Sequence, residues 1–412
     1  MYKLYPYYTN DGTIGLFSPE ADDIYHSTFG ALTEAYEKFI LPSNIKDFLK
    51  NNNEIKILDI CFGIGYNTKS FLNNLLEIIY NDAIYTNNIN KQINNDEIYT
   101  NNQKLKVFIH AIDNDKNLIN LSPFFKRFEK NIGKLNSKNK IIYEQEKIRK
   151  LSSNIAKPKF QLKEEVNILL LLQLLKYIDE ETLAILSDKN YAAYFDKNNI
   201  ALYSFLAKER GIINPKMNKT SFLHNIYYKY LSKGYKKALN ALELMDFNFE
   251  RDVNDARVAI KNDLNKYNFI FLDAFTPTKC PCLWTVDFFK LLYEHLDENG
   301  MILTYSNSAL VRNSFLNAGF DVKKIFSKSQ NKFTGTIAFK HTTQKIGFNN
   351  DLIYDLSEYD LGLMKTRAGI FYRDENLTLD NEAIISNHKI EVENSPLISS
   401  SKFIKSYKKK QN

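Results

Sequence analysis

The chain has 412 residues, of which 44% are hydrophobic and 25% charged, the balance of a globular protein with a sizeable core rather than a disordered or membrane-embedded chain. Its net charge of +7, from 55 basic against 48 acidic side chains, favours an anionic partner such as RNA without requiring one. Cys61, Cys280 and Cys282 are an odd number and lie too close to candidate site turns to read as a disulfide framework, the opening residues lack a signal pattern and no apolar run is long enough to cross a bilayer, so a cytoplasmic protein without membrane contact is expected.

Residues 56–60 read as a short buried strand and 68–76 as a helix, joined by a glycine turn. An Asn-rich stretch over 81–102 reads as a surface loop, and the apolar run 105–112, ending in Asp113, as the second strand. From about 126 to 244 the period turns helical, as in 164–170 and 227–231. Sheet signals return at 247–249 and at 267–272, which ends in Asp273. A helix over 285–296 that Thr285 caps, a strand at 300–305, a helix over 309–318 stopped by Gly319, and strands at 322–326 and 333–339 follow. The last two suit an antiparallel hairpin at the edge of a mostly parallel, doubly wound sheet, whose ligand lies outside the carboxyl ends of the strands. The expected organisation is an N-terminal segment (1–54) packing on a catalytic domain (55–125 and 245–345), a helical insertion (126–244) and an extension (346–412) with a basic tail.

Asp59-Ile60-Cys61-Phe62-Gly63-Ile64-Gly65 closes the first strand. Glycines 63 and 65 let the backbone turn tightly and approach a ligand where a Cβ would collide. A dinucleotide fingerprint would carry a third glycine where Thr68 stands, so the turn points to a nucleoside cofactor without a pyrophosphate, S-adenosylmethionine; another S-adenosylmethionine-dependent amine methyltransferase and an NAD-dependent oxidoreductase are the alternatives. Asp113 suits the ribose hydroxyls, with Asp115 close enough to compete. In Asn254-Asp255-Ala256-Arg257 the carboxylate can accept from an adenine amino group. Cys280-Pro281-Cys282 has no matching Cys/His pair, and no metal is assigned.

The most specific stretch is Phe269-Ile270-Phe271-Leu272-Asp273-Ala274-Phe275-Thr276-Pro277-Thr278-Lys279-Cys280-Pro281-Cys282-Leu283-Trp284. With 59–68, Tyr305-Ser306-Asn307-Ser308-Ala309-Leu310-Val311-Arg312, Gly335-Thr336-Ile337-Ala338, the segment from Tyr25-His26-Ser27 to Glu34, and Arg367-Ala368-Gly369 with Tyr372-Arg373-Asp374-Glu375, it resembles the MnmC-type methyltransferases that finish 5-methylaminomethyl-2-thiouridine at the tRNA wobble position. Cys61, Ile64, Cys280 and Cys282 depart from that family's usual residues.

The resemblance implies a class I (Rossmann-like) S-adenosylmethionine-dependent methyltransferase fold with a seven-stranded, mostly parallel sheet and a helical insertion. It implies S-adenosylmethionine as cofactor, held by Asp59, Phe62, Gly63, Gly65, Asn67, Asp113, Asp255, Ala256 and Glu34, and tRNA as substrate, met by Phe275, Pro277, Tyr305 and Arg312. Asp273 is the expected catalytic residue, either orienting the substrate amine or also taking its proton. In some relatives this domain is fused to a flavin-dependent oxidase; no second dinucleotide motif is visible here, so a separate protein is expected to supply the aminomethyl intermediate. Lys402, Lys405, Lys408, Lys409 and Lys410 form a basic tail that is either a solvated terminus or a tRNA phosphate contact, and Arg367 and Arg373 are further RNA candidates.

Overall fold

The computed structural model describes residues 3–20, 22–26, 28–81, 104–130, 158–209, 221–341, 348–349 and 351–411. The chain opens with three short strands, β1 (Tyr5–Tyr8), β2 (Ile14–Ser18) and β3 (Asp23–Tyr25), paired antiparallel in a small sheet of their own. The main sheet contains β4 (Glu54–Ile60), β5 (Leu105–Ile112), β6 (Met245–Asp252), β7 (Tyr267–Leu272), β8 (Leu296–Thr304), β9 (Phe320–Ser327), β10 (Lys332–Lys340) and β11 (Ile353–Asp355), in the order β11-β9-β10-β8-β7-β4-β5-β6.

The central strands read as unbroken apolar runs because both faces of the sheet are covered. Ile57, Phe269 and Phe271 enter the core on one face, while Leu58, Ile60, Ile270 and Leu272 enter the core on the other. At the edge, β6 alternates buried and exposed residues, as a strand covered on one face must. The strands β8, β7, β4, β5 and β6 run parallel, and β10 runs antiparallel to both β8 and β9. The expected hairpin therefore exists, but its second strand lies inside, next to β8.

Two features differ from expectation. The sheet has eight strands, not seven, because the three-residue β11 pairs with β9 at the edge. The small first sheet gave no usable pattern, since strands of three to five residues are too short for a period of two to stand out. Its Tyr8, Ile14 and Leu16 nonetheless share the core of Ile57 and Val107. So do Val166, Leu169 and Leu170 of the helix Glu164–Leu174, which is apolar on all sides and accordingly buried. The helices Glu180–Ser187, Lys197–Glu209 and Ser221–Leu244 follow it before β6. Most of the expected Asn-rich loop, and residues 131–157 and 210–220 of the helical stretch, lie outside the described residues.

Helix starts follow local chemistry. Thr285 caps Val286–His295 as expected, its Oγ1 accepting from the Phe288 amide at 3.0 Å. Gly319, after Ala309–Asn317, sits at φ +100. The helix Tyr66–Asn81 leaves the glycine turn and returns the chain along the sheet.

Candidate active site

In the main sheet β4 has β5 on one side and β7 on the other, so the chain leaves in opposite directions and opens a crevice at their carboxyl ends. A cavity of about 610 Å³ lies there. Five strand ends supply its wall: Cys61 and Gly63 after β4, Asp113 and Asn114 after β5, Asp255 and Ala256 after β6, Asp273 and Phe275 after β7, and Tyr305 after β8. Tyr25, His26, Glu34 and Lys38 close it from the N-terminal segment, and Asp380 and Asn381 from the C-terminal one.

The turn after β4 depends on its glycines. Gly63 and Gly65 sit at φ +57 and +78, and a Cβ on Gly65 would stand 2.3 Å from the Phe62 ring. Cys61 adopts φ +61 without that freedom, a strained position of the kind found at ligand sites. The Gly63 amide donates to Asp113 Oδ2 at 2.8 Å, and the Asp115 amide to Asp113 Oδ1 at 2.9 Å. Burial pushes the Asp113 carboxyl up to about 6, against the pull of these N–H donors. Asp115 caps the helix Lys116–Leu121, its Oδ1 accepting from the Asn117 amide at 2.8 Å, and does not line the cavity. Of the two carboxylates, only Asp113 faces the cavity.

Asp59 lies beneath the wall, fully buried, and accepts from Thr68 Oγ1 at 2.7 Å. Thr68, where a dinucleotide turn would have glycine, is therefore engaged with the strand below. Burial pushes Asp59 up to about 8, and its Oδ1 has no hydrogen-bond partner among the described residues. In an unfolded chain the same carboxyl titrates near 3.8. The raised native value means that Asp59 favours the fold most at acid pH and loses that contribution as pH climbs from about 4 through about 8. Asp59→Asn, which keeps an acceptor for Thr68, is expected to melt near the wild-type temperature at pH 5 and several degrees above it at pH 8. A gain that shrinks with rising pH would contradict the buried, protonated carboxyl.

Asp273 is positioned from both sides. Its amide donates to the Ile60 carbonyl at 3.2 Å, and its Oδ2 accepts from Asn67 Nδ2 at 3.0 Å. Burial raises its carboxyl above the ordinary range, while His26, the Asn67 hydrogen bond and Lys38 pull it down. Burial also holds the His26 imidazole below its ordinary value. The loop after Asp273 is pinned by its carbonyls: Tyr305 OH donates to Ala274 O at 2.9 Å, and the Nε1 of fully buried Trp284 to Phe275 O at 2.8 Å. Phe275 meets the edge of Tyr25 at 4.8 Å, and Lys38, paired with Glu34 at 2.8 Å, lies 5.7 Å from the Tyr305 ring centroid. Cys280 and Cys282 line the cavity as free thiols, their Sγ atoms 3.7 Å apart.

Of the residues expected to hold the cofactor, Gly63, Asp113, Asp255, Ala256 and Glu34 line the cavity, whereas Asp59, Phe62, Gly65 and Asn67 stand behind its wall. Asp255 is also not a free acceptor: it caps Ala256–Lys261 and holds the Arg257 guanidinium at 2.7 Å. Burial alone would raise its carboxyl, but Arg257 holds it below the ordinary range. Of the expected substrate residues, Phe275 and Tyr305 line the cavity, and Pro277 and Arg312 do not. Arg312 is buried instead, its guanidinium on Asp360 Oδ1 at 2.9 Å and Thr336 Oγ1 at 3.2 Å. Nor is Arg373 free, since it pairs with Asp287 at 3.0 Å. Ser27, within the N-terminal motif, lies outside the described residues.

The C-terminal wall went unread in the sequence. Arg257 Nη1 reaches Asp374 Oδ2 at 2.8 Å and the Leu379 carbonyl at 2.7 Å. Buried Asp374 also accepts the amides of Thr378 and Leu379, which turns the chain so that Asp380 and Asn381 face the cavity. Asp374→Ala removes the acceptor for all three groups and is expected to cost roughly 3–5 kcal/mol, measured as a lower Tm. An unchanged Tm would mean that this segment does not rest on Arg257.

Residues 214–340 match the model of a family of S-adenosyl-L-methionine-dependent methyltransferases. An uncharacterized protein of Methanocaldococcus jannaschii is 30% identical over 183 residues, 44% of this chain and 46% of that one. The tRNA 5-methylaminomethyl-2-thiouridine biosynthesis bifunctional protein MnmC of Campylobacter fetus is 28% identical over 110 residues, 27% of this chain and 17% of that protein. These alignments span less than half the length of either curated relative. Among solved structures, MnmC2 from Aquifex aeolicus superposes with a TM-score of 0.53 at 21% identity, covering 95% of this chain and 86% of that one, which shows a shared fold. Among the described residues no helix is long and apolar enough to cross a membrane, and no group of three His, Cys, Asp or Glu side chains is placed to hold a metal ion. The sheet order, the glycine turn and the family match agree: the chain has a class I (Rossmann-like) fold, its residues 214–340 match S-adenosyl-L-methionine-dependent methyltransferases, and it is similar to MnmC proteins.

Proposed function

We propose that the chain methylates the exocyclic nitrogen of 5-aminomethyl-2-thiouridine at the tRNA wobble position, giving 5-methylaminomethyl-2-thiouridine. The observation that carries this reading is Asp273, a carboxylate at the end of β7 that faces the cavity, is held by Asn67, and lies in a wall shared with the aromatic rings of Phe275 and Tyr305. The similarity to MnmC proteins supplies the nucleoside.

The residues present fit the cofactor. The cavity is of ordinary size for a small-molecule site, and the bare Cα of Gly63 keeps its floor open. Gly63, Asp113, Ala256 and Glu34 are the residues proposed to hold it, and when bound S-adenosylmethionine supplies an electrophilic methyl group.

A primary alkylamine, with a pKa of about 10, is mostly protonated near neutral pH, so the site must select or generate the neutral form. Asp273 accepts a hydrogen bond from the amine, aims its lone pair and, with a carboxyl raised by burial, is a better proton acceptor than a solvated aspartate. Phe275 and Tyr305 offer apolar faces to the flat base. Asn67 fixes the carboxylate, and the Trp284 and Tyr305 hydrogen bonds fix the loop, so orientation is built before the substrate arrives.

The test is mass spectrometry of nucleosides from aminomethyl-thiouridine tRNA incubated with the protein and S-adenosylmethionine. A gain of one methyl on that nucleoside is expected, and its absence refutes the substrate. Thermal shift with S-adenosylhomocysteine against NAD separates this reading from an oxidoreductase, because only the ligand that binds the native state raises Tm.

A further inference from the structure

The helix Ser400–Gln411 carries Lys402, Lys405, Lys408, Lys409 and Lys410 and no acidic residue. Five of the chain's seven excess positive charges therefore sit on twelve residues. All five lysines are exposed, and none makes an ion pair among the described residues. Many other basic groups are spent on partners, as Arg257, Arg312, Lys324 and Arg373 are.

The helix is not a loose tail. Its own apolar side chains, Phe403, Ile404 and Tyr407, are half-buried, and Phe403 and Tyr407 meet the Tyr359 ring at 5.8 and 5.2 Å. A Cβ on Gly362 would stand 2.3 Å from the Phe403 ring, so the ring rests directly on the backbone of the helix Glu358–Met364. That helix is fastened to the catalytic sheet through Asp360, which accepts from Arg312 at 2.9 Å and Lys324 at 2.7 Å. Arg312 in turn holds Thr336, whose hydroxyl donates to the Ser306 carbonyl at 2.6 Å, one residue beyond Tyr305 in the cavity wall. The basic helix is thus tied by packing and hydrogen bonds to the rim of the site.

We propose that the exposed lysine face of Ser400–Gln411 is a docking site for the phosphate backbone of RNA, holding the substrate tRNA outside its reacting nucleotide. The choice of tRNA as the polyanion rests on the function proposed above; the docking face itself rests on the unpaired charge and its anchorage. Phosphate contacts of this kind set position and contribute salt-dependent affinity without reading sequence. An anionic membrane surface is the poorer fit, because an interfacial helix needs a free apolar face and this one spends its own on Tyr359 and Gly362.

The test uses the full chain carrying K402Q, K405Q, K408Q, K409Q and K410Q together, which leaves Phe403, Ile404 and Tyr407 in place, and a second version with arginine at the same five positions. Binding of unmodified tRNA is followed by fluorescence anisotropy across roughly 50 to 200 mM salt. The glutamine form is expected to bind about ten-fold more weakly or worse, with the slope of log K against log salt reduced by about 2 or more, while the arginine form keeps both. Equal affinity and slope in the glutamine form, with unchanged Tm and S-adenosylhomocysteine binding, overturn the proposal. So does a loss confined to phosphatidylserine vesicle binding, which would assign the face to a membrane. Lysine-dependent tRNA binding without methylation would remove the wobble-uridine reading and leave the docking face standing. Methylation with lysine-independent binding would do the reverse.

Discussion

Asp273→Ala is expected to reduce methyl transfer by about 10²–10⁴-fold while leaving S-adenosylhomocysteine affinity within a few-fold of wild type. The carboxylate is the one charged group at the end of β7, and Asn67 donates to it across 206 positions of sequence. Alanine removes the acceptor for the amine but leaves Gly63, Asp113 and Glu34 untouched, so the loss belongs in kcat and not in cofactor binding. Because burial raises the Asp273 carboxyl, the working, ionised form grows as pH rises through that elevated value, and wild-type activity is expected to fall toward acid. Asp273→Asn, which still accepts from Asn67, separates the two roles. A purely orienting carboxylate leaves measurable activity with asparagine, whereas a proton acceptor does not. Normal turnover in the alanine variant would sink the assignment altogether.

Gly65→Ala is expected to destabilise the fold by roughly 2–4 kcal/mol and to weaken S-adenosylhomocysteine binding at least ten-fold. Two costs combine at this position. Alanine at φ +78 is strained, and its Cβ would overlap the Phe62 ring at 2.3 Å. Phe62 is buried and packs against Phe249 with centroids 5.8 Å apart, so the ring cannot yield without moving the Cys61–Gly63 stretch that forms the cavity wall. Gly319→Ala is the control. It has the same kind of backbone strain at φ +100, but its nearest neighbour is the Tyr293 ring at 3.6 Å, far from the cavity. It should cost stability alone. Unaltered cofactor affinity in Gly65→Ala would show that the turn does not shape the site.

Much of the fold and the position of Asp273 were legible along the chain. The run 105–112 is the observed β5, and 267–272 is the observed β7 with Asp273 at its end. Thr285 caps and Gly319 stops their helices as their chemistry requires. These features are local: a strand covered on both faces leaves a short apolar run, a hydroxyl finds an amide three residues on, and a glycine takes a conformation others avoid.

Which charged groups meet was decided by the tertiary structure. Arg312 looks like an RNA contact in its motif, yet Asp360, 48 positions away, takes its guanidinium into the interior. Asp255 looks free until Arg257 folds onto it, and Asp374 draws that same arginine from 117 positions on, bringing Asp380 and Asn381 to the cavity. Asp59 belongs to the glycine motif but serves beneath it, because it still lies inside β4, fully buried under Thr68, whereas Cys61 and Gly63 follow the strand's end and line the crevice. Composition and period determined the central strands and helices and placed Asp113 and Asp273 at the ends of β5 and β7, since those depend on neighbours within a turn or two. The wall of the site came from contacts spanning 50 to 206 positions, where the energy of pairing a buried charge depends on a partner that no local pattern announces.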